Sequence, residues 1–211
     1  MTDTNSQPNV TASDALTRLK EGNQRFAAGI QRSLDTSETQ RSALLAGQKP
    51  FAIILGCSDS RVPAEIVFDQ GLGDLFVIRV AGNVVAPSQI GSVEFAVEQF
   101  GTRLVVVMGH SQCGAVIASL QQLERPSAQR SPNLRSIVDR IEPAIEPLLE
   151  TELRHHPDAL LEKAIRANIR AAAGHLRHGS QIIESLIEHD GLLVVGAEYS
   201  LETGVVHFFD Q

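Results

Sequence analysis

The chain has 211 residues, of which 43% are hydrophobic and 20% are charged, a composition that suits one well-packed domain and excludes global disorder. Its formal net charge of -7 disfavours nucleic acid as a partner, because non-specific binding to nucleic acid needs a positively charged surface. Two cysteines are too few for a disulfide-rich secreted scaffold. No apolar run approaches the ~20 residues of a membrane helix, and the polar first residues carry no recognisable signal peptide. We therefore expect a cytoplasmic protein that does not bind a membrane.

The N-terminal part is expected to be a flexible tail followed by a helical arm. Residues 1–10 are polar, and residues 11–47 contain two helical patterns. Ser13 is a candidate N-cap for the first helix. The second helix is expected over residues 37–46, ending at Gly47. We expect residues 1–211 to form a single domain.

The rest of the chain alternates between strand and helix patterns. Four short apolar runs predict parallel strands covered on both faces, at residues 51–55, 75–80, 104–108 and 192–195. Between the second and third runs, apolar residues at helical spacing predict a helix that ends at Gly101.

Residues 114–190 are mostly helical in pattern, most clearly residues 158–178, with a turn-rich connection over residues 125–135. A turn at residues 199–204 precedes a last strand at residues 205–209. The alternation predicts an α/β fold: a central, mostly parallel sheet of about four strands plus an antiparallel edge strand, flanked by helices.

Two of the predicted strand ends carry the residues of a candidate metal site. The first strand leads into C-S-D-S-R at residues 57–61, and the third leads into H-S-Q-C-G at residues 110–114. Functional sites of open α/β sheets gather at the carboxyl ends of the strands, so the two loops face each other if their strands are neighbours.

Cys57, His110 and Cys113 have the chemistry of zinc ligands, since thiolate and imidazole are the groups that Zn²⁺ prefers. A single cysteine after a strand is more often a small buried apolar residue. Both cysteines of the chain lie in these two loops together with a histidine, which favours metal binding. Three protein ligands leave a fourth position open, as in catalytic zinc sites.

Asp59 and Arg61 lie just beyond the first candidate ligand, at positions that point the same way in an extended loop. An arginine can hold a carboxylate through two parallel hydrogen bonds. Asp59, fixed in this way, would reach toward the metal and orient a reacting hydroxide.

The two loops resemble those of the β-class carbonic anhydrases. Residues 76–83 (F-V-I-R-V-A-G-N) and 91–95 (G-S-V-E-F) are also similar to that family, and the resemblance covers residues 15–209. It implies one zinc ion per chain on Cys57, His110 and Cys113, an Asp59–Arg61 dyad, and a homodimer or homotetramer in which the N-terminal helices wrap a neighbour.

The resemblance implies reversible hydration of CO2 to bicarbonate and a proton, by attack of zinc-bound hydroxide on CO2. Gln48 matches a glutamine that binds substrate or bicarbonate in part of the family. Phe76 matches an apolar residue of the substrate cleft, and Ala81 and Val85 are candidate pocket walls beside it. Because the chain keeps Gln48 and has no tryptophan, it resembles the branch that bicarbonate does not inactivate.

Three other interpretations stay open at the level of sequence. Relatives on the same scaffold hydrolyse CO2 analogues such as carbonyl sulfide or carbon disulfide, and the ligands do not distinguish these substrates. A purely structural zinc site would need a fourth protein ligand, for which only Asp59 is well placed. A thiol redox protein is disfavoured because the chain has no Cys-x-x-Cys motif.

Overall fold

A computed structural model of the chain describes residues 10–124 and 131–209. Five strands form one sheet: β1 (Ala52–Gly56), β2 (Leu75–Arg79), β3 (Leu104–His110), β4 (Leu193–Tyr199) and β5 (Val206–Phe208). Their order is β2-β1-β3-β4-β5, in which β1 to β4 are parallel and β5 is antiparallel to β4. The predicted fold class is therefore confirmed.

Helices cover both faces of this sheet. They are α1 (Ala12–Ala27), α2 (Glu38–Ala43), α3 (Ala64–Val67), α4 (Pro87–Phe100), α5 (Gly114–Glu124), α6 (Pro132–Ile145), α7 (Pro157–His178) and α8 (Gln181–His189). Single turns of 3-10 helix lie at Leu44–Ala46, Ala81–Asn83, Glu146–Glu150 and Glu152–His155. None of the helices in the described ranges is long and apolar enough to cross a membrane.

The predicted helix ends are partly confirmed. The residue that caps α1 is Thr11, whose side chain accepts a hydrogen bond from the backbone N–H of Asp14, so the prediction of Ser13 was wrong. Ser37 caps α2 in the same way. Gly101 ends α4 with φ 65°, a left-handed conformation that glycine adopts without a steric penalty.

The other boundaries differ by a few residues at strand ends and more in one connection. Residues 125–130 of the predicted turn-rich segment lie outside the described residues, but α6 begins at Pro132, directly after its cap Ser131. Residues 132–135 are therefore helical, with the proline at the first helical position, where its missing N–H is not needed. The strand β3 extends to His110, and β4 extends to Tyr199 rather than ending at Val195.

The sheet has an apolar core on each face. On one face, Ile53 and Leu55 of β1 pack with residues of α4 to α8, including Ile169. On the other face, Ile54 of β1 packs with α1 and α3, including Leu19. Successive residues of a strand point to opposite faces, so double coverage accounts for the continuous apolar runs in the sequence.

A buried carboxylate anchors the segment that follows α1. The side chain of Asp69 is 1% exposed and accepts hydrogen bonds from Arg25 Nε (2.5 Å) and from the backbone N–H (3.1 Å) and Nε (3.2 Å) of Arg32. Burial by itself raises the pKa of Asp69, but the hydrogen bonds from Arg25 and Arg32 outweigh it and hold the pKa below its ordinary value. This ion pair fastens the end of α1 and the residues that follow it to the body of the domain, whereas α2 buries none of its residues.

Replacing Asp69→Asn is expected to lower the free energy of unfolding by about 2 kcal/mol at pH 7, since charged hydrogen bonds are lost. Asparagine tolerates the φ of 50° at this position, so the change isolates the charge. Because the folded pKa is depressed, the stabilisation is full above the unfolded pKa of ~3.9 and is lost as the pH falls below it. Urea unfolding at several pH values measures this, with the exposed Asp190→Asn as the control. Equal stability of D69N and the unchanged protein at pH 7 would contradict the assignment.

Candidate metal centre

The strand order brings the two candidate loops together. β1 pairs with β3 in parallel, and Gly56 at the end of β1 lies opposite Met108. Cys57 directly follows β1, His110 is the last residue of β3, and Cys113 directly precedes α5. The expectation that the two loops face each other is confirmed.

Cys57, His110 and Cys113 form one compact group. Their potential ligand atoms all lie within 4.8 Å of one another. The three residues are 5%, 0% and 1% exposed, and both cysteines are free thiols. The spacing and burial would allow the three side chains to hold a single ion.

The imidazole of His110 is oriented as a ligand. Its Nδ1 lies 2.9 Å from the carbonyl oxygen of Ser111, which can only accept, so Nδ1 carries the N–H and the lone pair of a neutral imidazole lies on Nε2. That Nε2 is buried and has no hydrogen-bond partner in the described part of the chain. A buried polar atom without a partner is unfavourable, and a metal ion would satisfy it.

The hydrogen bond between the two cysteines favours a state in which Cys57 is a thiolate and Cys113 keeps its proton. The hydrogen bond from Cys113 lowers the pKa of Cys57 to about 4. The same hydrogen bond raises the pKa of Cys113, because Cys113 must keep its proton to donate it. Burial raises this pKa further, and so does repulsion from the thiolate of Cys57. A divalent cation can replace that shared proton and stabilise both thiolates at once.

Backbone contacts fix the loop that carries Cys57. The N–H of Gly82 donates to the sulfur of Cys57 at 3.3 Å. Arg79, at the end of β2, donates from Nε to the carbonyl oxygen of Cys57 at 3.0 Å and from Nη2 to that of Asp59 at 2.5 Å. One guanidinium therefore bonds to the backbone on both sides of Ser58.

Asp59 and Arg61 form the predicted two-pronged pair. Nε of Arg61 lies 2.9 Å from Oδ1 of Asp59, and Nη2 lies 2.7 Å from Oδ2. These hydrogen bonds from Arg61 hold the pKa of Asp59 well below its usual range, so the carboxylate is ionised at neutral pH. Its Oδ2 lies 3.9 Å from Nε2 of His110, which places the carboxylate beside the ligand group.

The other predicted site residues have different surroundings. Ala81 is the first residue of the Ala81–Asn83 turn, whose Gly82 bonds to Cys57, and the buried Val85 follows that turn by two residues. The ring of Phe76 packs against Phe95 and Phe100, with centroid distances of 6.2 and 6.0 Å. Gln48 is exposed in the segment before β1. A role in substrate binding stays a prediction for all four residues.

Sequence reasoning missed Arg79 and Gly82 as parts of the site. An arginine at the end of an otherwise apolar strand was a usable signal, because a charged side chain there needs a partner at the carboxyl edge of the sheet. The turn residue Gly82 gave no such signal, since its bond to sulfur depends on where β1 lies. Both lie within residues 76–83, which had been singled out only as a resemblance.

A family model and individual relatives place this sequence in the same family of proteins. A family model described as carbonic anhydrase matches residues 52–206. The protein named carbonic anhydrase 2 of Mycobacterium tuberculosis is 39% identical over 199 residues, which cover 93% of this chain and 92% of that protein. The carbonic anhydrase of Mycolicibacterium smegmatis is 38% identical over 190 residues, covering 86% and 91% of the two chains.

Solved structures agree with the sequence comparison. The beta-carbonic anhydrase CcaA superposes with a TM-score of 0.73 at 29% identity, covering 92% of this chain and 87% of the other. A tetrameric beta-carbonic anhydrase of Sordaria macrospora gives a TM-score of 0.70 at 25% identity, covering 81% and 86%.

Removing a candidate ligand is expected to abolish stable metal binding. Cys57→Ser and His110→Ala should each purify with much less metal than the unchanged chain, because two remaining ligands hold an ion poorly. Elemental analysis of metal per chain measures this. His207→Ala removes an exposed imidazole on β5 and serves as the control. Full metal content in H110A would show that the ion binds elsewhere.

Proposed function

Because this chain belongs to the carbonic anhydrase family, and to its β class by fold, we propose that it catalyses the zinc-dependent, reversible hydration of CO2 to bicarbonate and a proton. The observation that carries the proposal is the buried group of Cys57, His110 and Cys113, in which Nε2 of His110 lacks a hydrogen-bond partner among the described residues. The described residues place no fourth histidine, cysteine or carboxylate in that group. A tetrahedral ion held by these three residues would therefore have one position left for a water molecule, as catalysis requires.

The chemistry of the donor atoms favours zinc. Two sulfurs and one imidazole nitrogen suit a borderline-soft ion of tetrahedral geometry better than Mg²⁺ or Ca²⁺, which prefer oxygen. When bound, zinc would lower the pKa of a water molecule and supply a nucleophile near neutral pH. The two thiols must stay reduced to bind it, which supports a reducing, cytoplasmic location.

Asp59 is proposed to orient the reacting water. Its carboxylate lies beside the ligand group and is ionised, so it can accept a hydrogen bond from that water and direct an oxygen lone pair toward CO2. Arg61 contacts both oxygens of Asp59 and so holds the carboxylate beside the ligand group. This commitment of Asp59 also argues against a closed, purely structural metal site.

The apolar residues near the Ala81–Asn83 turn are proposed to hold CO2. Ala81 directly precedes Gly82, which bonds to Cys57, and the buried Val85 lies three residues after it, so an apolar wall there would lie close to an ion held by Cys57. Phe76 extends the apolar surface toward Phe95 and Phe100. Gln48 is proposed to hold bicarbonate oxygens, which requires the exposed segment that carries it to fold over the site.

Self-association is proposed as a homodimer or homotetramer. Leu45, Ile30 and Phe95 are 87%, 66% and 51% exposed, which leaves apolar side chains on the arm and beside strand β2 without cover. The β2 edge of the sheet also has no partner strand in the described chain. A relative described as tetrameric has the same fold. An assembly would cover these surfaces and bring the arm against a neighbour.

The proposal predicts zinc and activity in the same sample. The purified chain should contain about one zinc ion per chain, and stopped-flow mixing with CO2 and a pH indicator should show rapid proton release. Chelation should remove both, and added Zn²⁺ should restore both. A metal-free preparation that still hydrates CO2 would overturn the proposal.

Asp59→Asn is expected to retain zinc and to lower CO2 hydration by about 100-fold, because the amide keeps the shape but orients the water poorly. Parallel measurements of metal content and of stopped-flow rates separate the two effects. Asp74→Asn removes a carboxylate that pairs with Arg18 and should leave the rate unchanged. Full activity in D59N would refute the role assigned to the dyad.

A further inference from the structure

A buried asparagine of α7 contacts the turn that bonds to Cys57. Asn168 is 2% exposed and lies on a face of α7 that also buries Ile165 and Ile169. Its Nδ2 donates a hydrogen bond of 2.8 Å to the carbonyl oxygen of Gly82. An amide on such an apolar face is unfavourable unless it is hydrogen-bonded, so this contact fixes the Asn168 side chain.

Gly82 has a left-handed conformation in a closely packed turn. Its φ of 67° and ψ of 18° are left-handed, and a Cβ at this position would lie 2.8 Å from Cδ1 of Ile141 and 3.0 Å from Cβ of Ala115. On one side, the N–H of Asn83 bonds to the carbonyl of Val80 at 3.0 Å. The bond from Asn168 fixes the carbonyl of Gly82 itself. Glycine is the residue with the most backbone freedom, so these contacts on both sides of Gly82 restrict the direction of its N–H.

That N–H is aimed at the sulfur of Cys57, at 3.3 Å. A hydrogen bond to a ligand sulfur orients the thiolate and withdraws some of its electron density, and such outer contacts alter metal affinity. In a site with two thiolates the effect is largest at the sulfur that receives the bond.

We propose that Asn168 is a positioning residue for the metal centre: through Gly82 it sets the N–H···S hydrogen bond that orients Cys57. This inference rests on the proposed function only in requiring a metal ion on Cys57, His110 and Cys113. It assigns Asn168 no contact with the ion or with substrate.

The test replaces Asn168→Leu, which keeps similar bulk and removes the donor. The apparent zinc affinity, measured by competition with a chelator, is expected to fall about 10-fold. In the Co²⁺-loaded protein, the sulfur-to-cobalt charge-transfer band should move to longer wavelength, because a sulfur that loses its hydrogen bond gives up electron density more easily.

Asn23→Leu is the matched control. Asn23 is also a buried asparagine, 4% exposed, and its Nδ2 bonds to the carbonyl oxygens of Val67 and Gly204, on the α1 side of the sheet. Its loss should lower the melting temperature and leave the cobalt band and zinc affinity unchanged. If N168L behaved like N23L in all three measurements, the positioning role would be refuted and Asn168 would be a structural residue.

A measurement on the unchanged sequence keeps the proposal testable if N168L does not fold. In protein loaded with cadmium-113, the amide proton of Gly82 should show scalar coupling to the metal across the hydrogen bond to Cys57. The smaller variant Asn168→Ala should reduce that coupling. Absence of coupling in the unchanged protein would overturn the inference alone, whereas failure to bind Zn²⁺, Co²⁺ or Cd²⁺ at all would overturn the proposed function and the inference together.

Discussion

Parallel pairing between β1 and β3 is the constraint on which the metal centre depends. Residues 53–56 pair in register with residues 105–108, so both strands end at the same edge of the sheet and deliver Cys57 and His110 to one place. A shift of one residue would turn each strand's side chains to the opposite face. Because both faces of the two strands are fully buried, the two cores fix the register and hence the ligand spacing.

The negatively charged groups of the site lie beside positively charged arginine side chains. Two adjacent thiolates would repel each other unless a cation lay between them, and Asp59 adds a further negative charge beside His110. Arg61 neutralises that carboxylate from the solvent side, and Arg79 binds the carbonyl oxygens of the same loop. These contacts hold Asp59 beside the ligand group, to which the described residues add no fourth donor.

The sequence predicted most of the fold because its signals are local. Continuous apolar runs, a glycine at the end of α4 and the turn before β5 each depend on a few neighbouring residues. The errors arose where longer contacts decide. Thr11 rather than Ser13 caps α1 because the helix starts earlier than its apolar pattern. Strand β4 extends to Tyr199 because it pairs along the whole of β3, as far as His110.

For the site, the sequence by itself determined the residue types and their order: two cysteines, one histidine and an aspartate–arginine pair, at the ends of strands. That information is local, so the sequence alone contains it. Only the tertiary structure decided which donors bond to which acceptors. Arg79 bonds to Cys57 across the β1–β2 pair, and Asn168 reaches Gly82 from 86 residues further along the chain. Such partners are set by packing between distant elements, which no spacing within either segment encodes.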